Sequence, residues 1–253
     1  MTLPRVSCIL ATRNRQLFLR QAIKYFLRQT YTNKELIIVD DSLTSAAALV
    51  PSDAAITYIK LDSSMSLGRK LNLAIGKASG QIIQKLDDDD YYHPDFLQTT
   101  LTALLRGNSG RAIVGLDCFL VLITATGELK FSGHGWCAGG TLCFFKQLWE
   151  RSPFRDVPRA VDWWFLRDHP SGRINICSPE LYILVRHHAG HVWTTLKGLD
   201  VTEYFSRRPA YHKGLADCLS WEDQAFYREL GAMRGDFPLN APASRERAGW
   251  VVG

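Results

Sequence analysis

The first hundred residues alternate short, apolar, β-branched runs with stretches of helical spacing, and this alternation constrains the fold of the 253-residue chain more than any other feature. Residues 6–10 (VSCIL) form the first such run, which ends in Ala11, Thr12, Arg13 and Asn14. Apolar side chains then recur at Leu19, Ala22, Ile23, Phe26 and Leu27, a spacing that predicts a helix over 17–29. A second strand is expected over 36–39, ending at Asp40 and Asp41, and a third over 56–61. Leu67, Leu71, Ala74, Ile75 and Ala78 share one face of a helix over 67–78, and after Gly80 a fourth strand runs over 82–86. Pro94 suits the first turn of a helix continuing through 95–105. Strands alternating with helices of this length predict an α/β fold, with a mostly parallel sheet and right-handed crossovers.

Beyond residue 111 the pattern changes. A strand is expected over 112–121, a turn at Thr126, Gly127 and Glu128, and a glycine-rich loop over 133–140 carrying His134, Trp136 and Cys137. A strand over 141–145, a helix over 161–167 and a strand over 181–186 follow. The tail from 237 reads as loosely ordered. No internal repeat or interdomain linker stands out.

Composition narrows the function classes. With 46% hydrophobic residues the chain can bury a sizeable core, and its 22% charged residues are dispersed, so it should fold. Net charge is +5, but no run of five basic residues occurs, which argues against nucleic-acid binding. A mild positive balance also suits an anionic donor or peripheral contact with an anionic membrane surface. None of the six cysteines forms a C-x-x-C pair; they read as reduced thiols, as in a cytoplasmic protein. The N-terminal residues run straight into a strand and do not read as a signal peptide. No apolar stretch approaches the roughly 20 residues of a membrane-spanning helix.

Polar residues sit just beyond three predicted strand ends: Thr12 to Asn14, Asp40 and Asp41, and the unbroken run Asp87, Asp88, Asp89, Asp90. Open α/β sheets bind ligands at the carboxyl ends of their strands, so these groups should converge on one crevice. Four adjacent like charges repel, and a cation is the simplest offset. Hard oxygen donors point to Mg²⁺ or Mn²⁺, which can neutralise a leaving diphosphate. An acidic surface loop or helix N-cap is the plainer alternative.

The segments VSCILATRNR, ELIIVDDS, the run from Leu71 and Asn72 to Gly80, and KLDDDDYYHPDFL together resemble the inverting family 2 glycosyltransferases of GT-A (Rossmann-like) fold. The resemblance covers residues 4–105 strongly and 135–190 less so. It implies a sugar transferred with inversion from a nucleotide-sugar, most often UDP-linked, to a carbohydrate or glycolipid hydroxyl. The simplest organisation is one compact domain, with a nucleotide-sugar-binding half over 1–110 and an acceptor-side half over 111–236, followed by a loosely ordered tail over 237–253. Ala11, Thr12 and Arg13 would contact the nucleotide, Asp41 the base, and Arg69 or Lys70 the base or diphosphate. Asp88 would bind or orient the ribose. Asp87 and Asp89 would ligate Mn²⁺ or Mg²⁺, with the register of the acidic run open.

The family also places a catalytic base before an aromatic helix, a position matched by Asp162 in 159–166 (RAVDWWFL), although Val161 departs from the acid often found there. An N-cap role is the alternative for Asp162, and Asp168 and Asp156 are fallback bases. Gly139 and Gly140 resemble the small-residue segment that lets an acceptor approach the backbone. Among His187, His188 and His191, His188 is favoured as a further metal ligand. Two other classes stay open. One is a non-catalytic nucleotide-sugar-binding module. The other is a haloacid-dehalogenase-like phosphatase, faintly echoed by Asp40 to Thr44.

Overall fold

The structure, a computed structural model, describes residues 3–107, 110–187 and 191–233. Its strands are β1 (Val6–Thr12), β2 (Lys34–Asp40), β3 (Ile56–Lys60), β4 (Ile82–Leu86), β5 (Tyr91–Tyr92), β6 (Ile113–Cys118), β7 (Leu120–Ile123), β8 (Glu128–Phe131), β9 (Cys143–Phe145), β10 (Arg173–Cys177), β11 (Tyr182–Arg186), β12 (Thr195–Leu196) and β13 (Leu199–Asp200). Its helices are α1 (Gln16–Leu27), α2 (Leu67–Lys77), α3 (Phe96–Arg106), α4 (Lys146–Arg151), α5 (Val161–Asp168), α6 (Val201–Ser206), α7 (Leu215–Cys218) and α8 (Trp221–Ala232). They group into two units: residues 1–119 with 133–183, and residues 120–132 with 184–253.

The first unit is built on a seven-stranded sheet in the order β10-β6-β9-β4-β1-β2-β3. β1 pairs parallel with β2 and β4, β2 with β3, and β10 with β6, while β9 runs antiparallel between β4 and β6. The mostly parallel sheet flanked by helices is the architecture expected. β1 and β2 carry continuous apolar runs because both sheet faces are covered, and in β4 such a run is interrupted by the buried Gln84 and Lys85. Ile9, Ile37, Val39 and Ile83 pack with Leu71, Ala74 and Ile75 of α2 and with Phe144, Phe154 and Phe165 in one buried core. The register Leu10↔Leu86 and Thr12↔Asp40 brings the ends of β1, β2 and β4 to the same edge of the sheet.

The first half follows its predicted elements to within a few residues, and the second half departs further. The single strand expected over 112–121 is two, β6 and β7, divided at the buried Phe119. The expected strand over 141–145 begins as a 3₁₀ turn (Gly139–Thr141), and only Cys143–Phe145 pairs in the sheet. β10 and α4 carried no strong sequence signal: β10 alternates exposed and half-buried positions over only five residues. The helix expected from Val161 is α5, but its N-cap is Ala160 at φ 55°, so Asp162 lies in its first turn and is not the cap.

The second unit contains the β7–β8 hairpin, whose turn passes through Gly127 at φ 72°. It also holds the β12–β13 hairpin and helices α6 to α8. Asp200 caps α6 by accepting from the Thr202 and Glu203 N–H groups, and Ser220 caps α8 through Asp223 N–H. No helix among the described residues is long and apolar enough to cross a membrane.

Candidate active site

The acidic run follows β4 directly, and each of its carboxylates meets a side chain from elsewhere in the fold or from the strand itself. Asp88 is buried; its Oδ2 accepts from Thr12 Oγ1 at 2.6 Å and its Oδ1 from Arg15 at 2.8 Å. The same guanidinium donates to Asp89 Oδ2 at 2.9 Å. Asp87 Oδ1 accepts from the Lys85 ammonium at 2.6 Å, and Asp90 accepts from the Tyr182 hydroxyl. Burial raises the Asp88 carboxyl above its ordinary range; Arg15 pulls it down and Asp89 pushes it up again. The repulsion that suggested a bound cation is therefore offset in part by the chain's own cations, Arg15 and Lys85. Burial works against both charges, yet the surrounding carboxylates raise both pKa values.

Lys85 is the centre of the arrangement. Its side chain is 1% exposed, and its Nζ lies 3.4 Å from Asp162 Oδ1 as well as against Asp87. Alternation along β4 aims it there, since Lys85 and Asp87 stand on one face while Gln84 turns to the other and donates to the Thr141 and Leu142 carbonyls. Asp162 Oδ1 is buried and has no hydrogen bond, only this ion-pair contact. Burial is the largest influence on Asp162 and raises its pKa; Lys85 opposes this, and Asp87 adds to it.

The glycines of the 133–140 loop close this side. A Cβ on Gly139 would stand 2.5 Å from Asp162 Oδ2, and one on Gly140 would stand 2.8 Å from Asp87 Oδ2. Only bare backbone fits against both carboxylates. Tyr92 fastens the acidic loop to this turn: its hydroxyl accepts from Asp87 N–H at 2.7 Å and donates to Gly140 O at 2.9 Å.

The other expected site residues are arranged unevenly. Thr12 joins the cluster through its hydroxyl, and Ala11 lies beside it at the end of β1, half-buried. Arg13 turns to the exposed Ser64 Oγ at 2.6 Å. Asp41 is buried, its Oδ1 on Lys70 at 2.7 Å and its Oδ2 on Met65 N–H at 2.9 Å. Of the basic pair, Lys70 thus points inward, whereas Arg69 is exposed and 4.0 Å from Asp156. Asp168 is held by Arg155 through two hydrogen bonds. His188 lies outside the described residues. His187 and His191 belong to the second unit, with their rings 4.0 Å apart.

Asp40 is fully buried and accepts from Ser42 N–H, Ser42 Oγ and Tyr58 OH. A carboxylate so enclosed cannot serve as a phosphatase nucleophile, which removes that alternative. Sequence reasoning missed Arg15 and Lys85. The visible clue to Lys85 was a lysine inside an apolar strand, two residues before the acids.

For a divalent ion, the hard carboxylate oxygens of Asp87 and Asp89 supply suitable donors, and the bare backbone at Gly140 leaves Asp87 Oδ2 uncrowded.

Residues 7–127 match the family model described as Glycosyl transferase family 2. Over 103 residues the chain is 41% identical to WcaA of Escherichia coli K12, provisionally named a colanic acid biosynthesis glycosyl transferase, covering 39% of this chain and 37% of that one. Over 143 residues it is 33% identical to the GalNAc(5)-diNAcBac-PP-undecaprenol beta-1,3-glucosyltransferase of Campylobacter jejuni, covering 53% and 44%. The matches span less than half the length of these relatives. Staphylococcus aureus TarS 1–349, solved with UDP-GlcNAc, superposes with a TM-score of 0.62 at 15% identity, covering 76% of this chain and 61% of that one. The mannosyltransferase PcManGT of Pyrobaculum calidifontis, solved with GDP-Man and Mn²⁺, gives 0.56 at 19% identity, covering 74% and 57%. These two structures share the fold.

Proposed function

Because residues 7–127 of this chain match the family model of glycosyl transferase family 2, we propose that it transfers a sugar from a UDP-linked donor to a hydroxyl acceptor, inverting the anomeric centre. The observation that carries this reading is the convergence of Asp87 and Asp162 on one buried ammonium, Lys85, beneath the bare backbone of Gly139 and Gly140. The first carboxylate belongs to the donor side and the second to the acceptor side.

In the proposed reaction, Asp162 accepts the proton of the acceptor hydroxyl as that oxygen attacks the anomeric carbon. The bond from the anomeric carbon to the diphosphate breaks, and the nucleoside diphosphate leaves. A divalent ion, Mn²⁺ or Mg²⁺, held by Asp87 and Asp89, would neutralise charge on that diphosphate. Asp162 suits proton acceptance because Lys85 holds its Oδ1 while the side chain stays 26% exposed, open to an acceptor hydroxyl. Lys85 holds this carboxylate in place and opposes the rise in its pKa that burial causes. Thr12 and Arg15 position Asp88, which would face the ribose, and Ala11 would contribute backbone contacts. Asp41, its side chain enclosed by Lys70 and Met65 N–H, would act at the base through Lys70. The acceptor class we propose is a lipid-linked saccharide, by analogy with the Campylobacter relative.

The test is steady-state transfer from a panel of UDP-sugars, with UDP release scored against lipid-linked and free saccharide acceptors. Asp162→Asn should bind UDP as the unaltered chain does and lose about 10²–10⁴-fold in transfer rate. Transfer at an undiminished rate would remove Asp162 from the base role. UDP binding without turnover on any acceptor would favour the binding-module alternative.

A further inference from the structure

A second group of metal-binding side chains lies in the first unit, apart from the acidic run. Asp117 and Cys118 end β6, Cys177 ends β10, and His134 opens the glycine-rich loop. One ligand atom from each of the four lies within 4.8 Å of every other. The thiols of Cys118 and Cys177, partners across the parallel β6–β10 pair, are 3.4 Å apart. Cys177 Sγ is 4.0 Å from His134 Nδ1, and His134 Nδ1 is 2.7 Å from Asp117 Oδ2. Asp117 Oδ1 accepts from Gly135 N–H at 3.0 Å, which aims Oδ2 at the group.

This is the donor set of a tetrahedral site. Bonds of about 2.3 Å to sulfur and about 2.0 Å to nitrogen or oxygen place adjacent ligand atoms roughly 3.3–3.8 Å apart. The observed separations bracket that spacing. Two thiolates, an imidazole and a carboxylate select zinc over the hard ions that suit the acidic run. An ordinary parallel strand pair does not require two thiols, an imidazole and a carboxylate at one corner.

We propose that Asp117, Cys118, His134 and Cys177 bind one Zn²⁺ in a structural site. Zinc there joins the ends of β6 and β10 to the start of the 133–140 loop. That loop is anchored nearby by Trp136 N–H on Asp117 O at 3.0 Å, and its far end holds Gly139 and Gly140 against Asp162 and Asp87. The ion thus rigidifies the loop that borders the candidate active site without touching the reacting atoms. The inference stands whether or not the transferase reading does.

The test is Co²⁺ titration of the full, reduced, chelator-treated chain, followed by zinc competition and metal analysis. One equivalent of Co²⁺ should give thiolate-to-metal charge transfer in the near ultraviolet and the visible bands of a tetrahedral ion, and Zn²⁺ should displace it. Cys177 and His134 are exposed, so Cys177→Ser and His134→Ala should fold. Each should weaken binding by more than the roughly 10–100-fold that loss of an outer-shell partner costs. Asp89→Ala, altered only in the acidic run, should keep the full signal, and Zn²⁺ should raise Tm in this variant and in the unaltered chain but not in Cys177→Ser. Absence of the charge-transfer band, its persistence at full intensity and affinity in Cys177→Ser, or isolation of the chain with Cys118 and Cys177 joined as a disulfide would overturn the proposal.

Discussion

At the residue scale, one lysine carries more of the site than its place in the sequence suggests. Lys85 is buried in β4 and faces carboxylates from two distant stretches of chain, Asp87 and Asp162. Lys85→Met should lower stability by about 3 kcal/mol, the lower end of the range for breaking a buried pair, because Asp87 is one-third exposed and water screens it. Urea unfolding measures this, and an unchanged midpoint would show that the pair contributes nothing. Gly139→Ala tests the neighbouring contact. Its new methyl would stand 2.5 Å from Asp162 Oδ2, so the carboxylate must move. Transfer should fall about 100-fold, the cost of a displacement near 1 Å, while UDP affinity stays constant. Wild-type turnover in this variant would mean that the carboxylate's position is immaterial. The acids themselves were legible, because an unbroken run of carboxylates at a strand end has few structural uses. Arg15 and Lys85 were not, because nothing in the sequence states which acids a long basic side chain will reach.

At the scale of elements, β1, α1, β2, β3, α2, β4 and α3 were readable because each repeats one period long enough to be recognised. β10 was not, being five residues long, and β9 was read as a strand but not as one inserted antiparallel among parallel neighbours. Glu35 ties these layers together. Its carboxylate accepts from Ser7 Oγ, Ser79 N–H, Ser79 Oγ and Gly80 N–H and pairs with Arg5, joining β1 and β2 to the turn that leads into β4. Burial acts to raise its pKa, but the hydrogen bonds from Ser7 and Ser79 and the charge of Arg5 outweigh it, and the net shift is downward. A depressed carboxyl stabilises the fold above its unfolded pKa, and that contribution is lost as pH falls through the folded value. The stability difference between the unaltered chain and Glu35→Gln should therefore be full near neutrality and shrink in acid. Chemical denaturation across that range measures it, and a difference independent of pH would contradict the linkage.

At the scale of the molecule, the sheet edge where β1, β2 and β4 end assembles Thr12, Asp41 and the acidic run. The order of these strands makes that convergence predictable from sequence. The later half resists such reading because its contribution comes through a backbone turn, Gly139 and Gly140, and one side chain, Asp162, that local patterns cannot place against β4. In the reaction proposed above, the carboxylates of Asp87 and Asp89 hold a divalent ion that in turn holds the donor diphosphate. Calorimetric titration of UDP, with and without Mn²⁺, into the unaltered chain, Asp89→Ala and Asp162→Asn tests it most directly. The account predicts Mn²⁺-dependent binding in the unaltered chain and Asp162→Asn, and none in Asp89→Ala. UDP binding of equal strength in all three, whether or not Mn²⁺ is present, would contradict it.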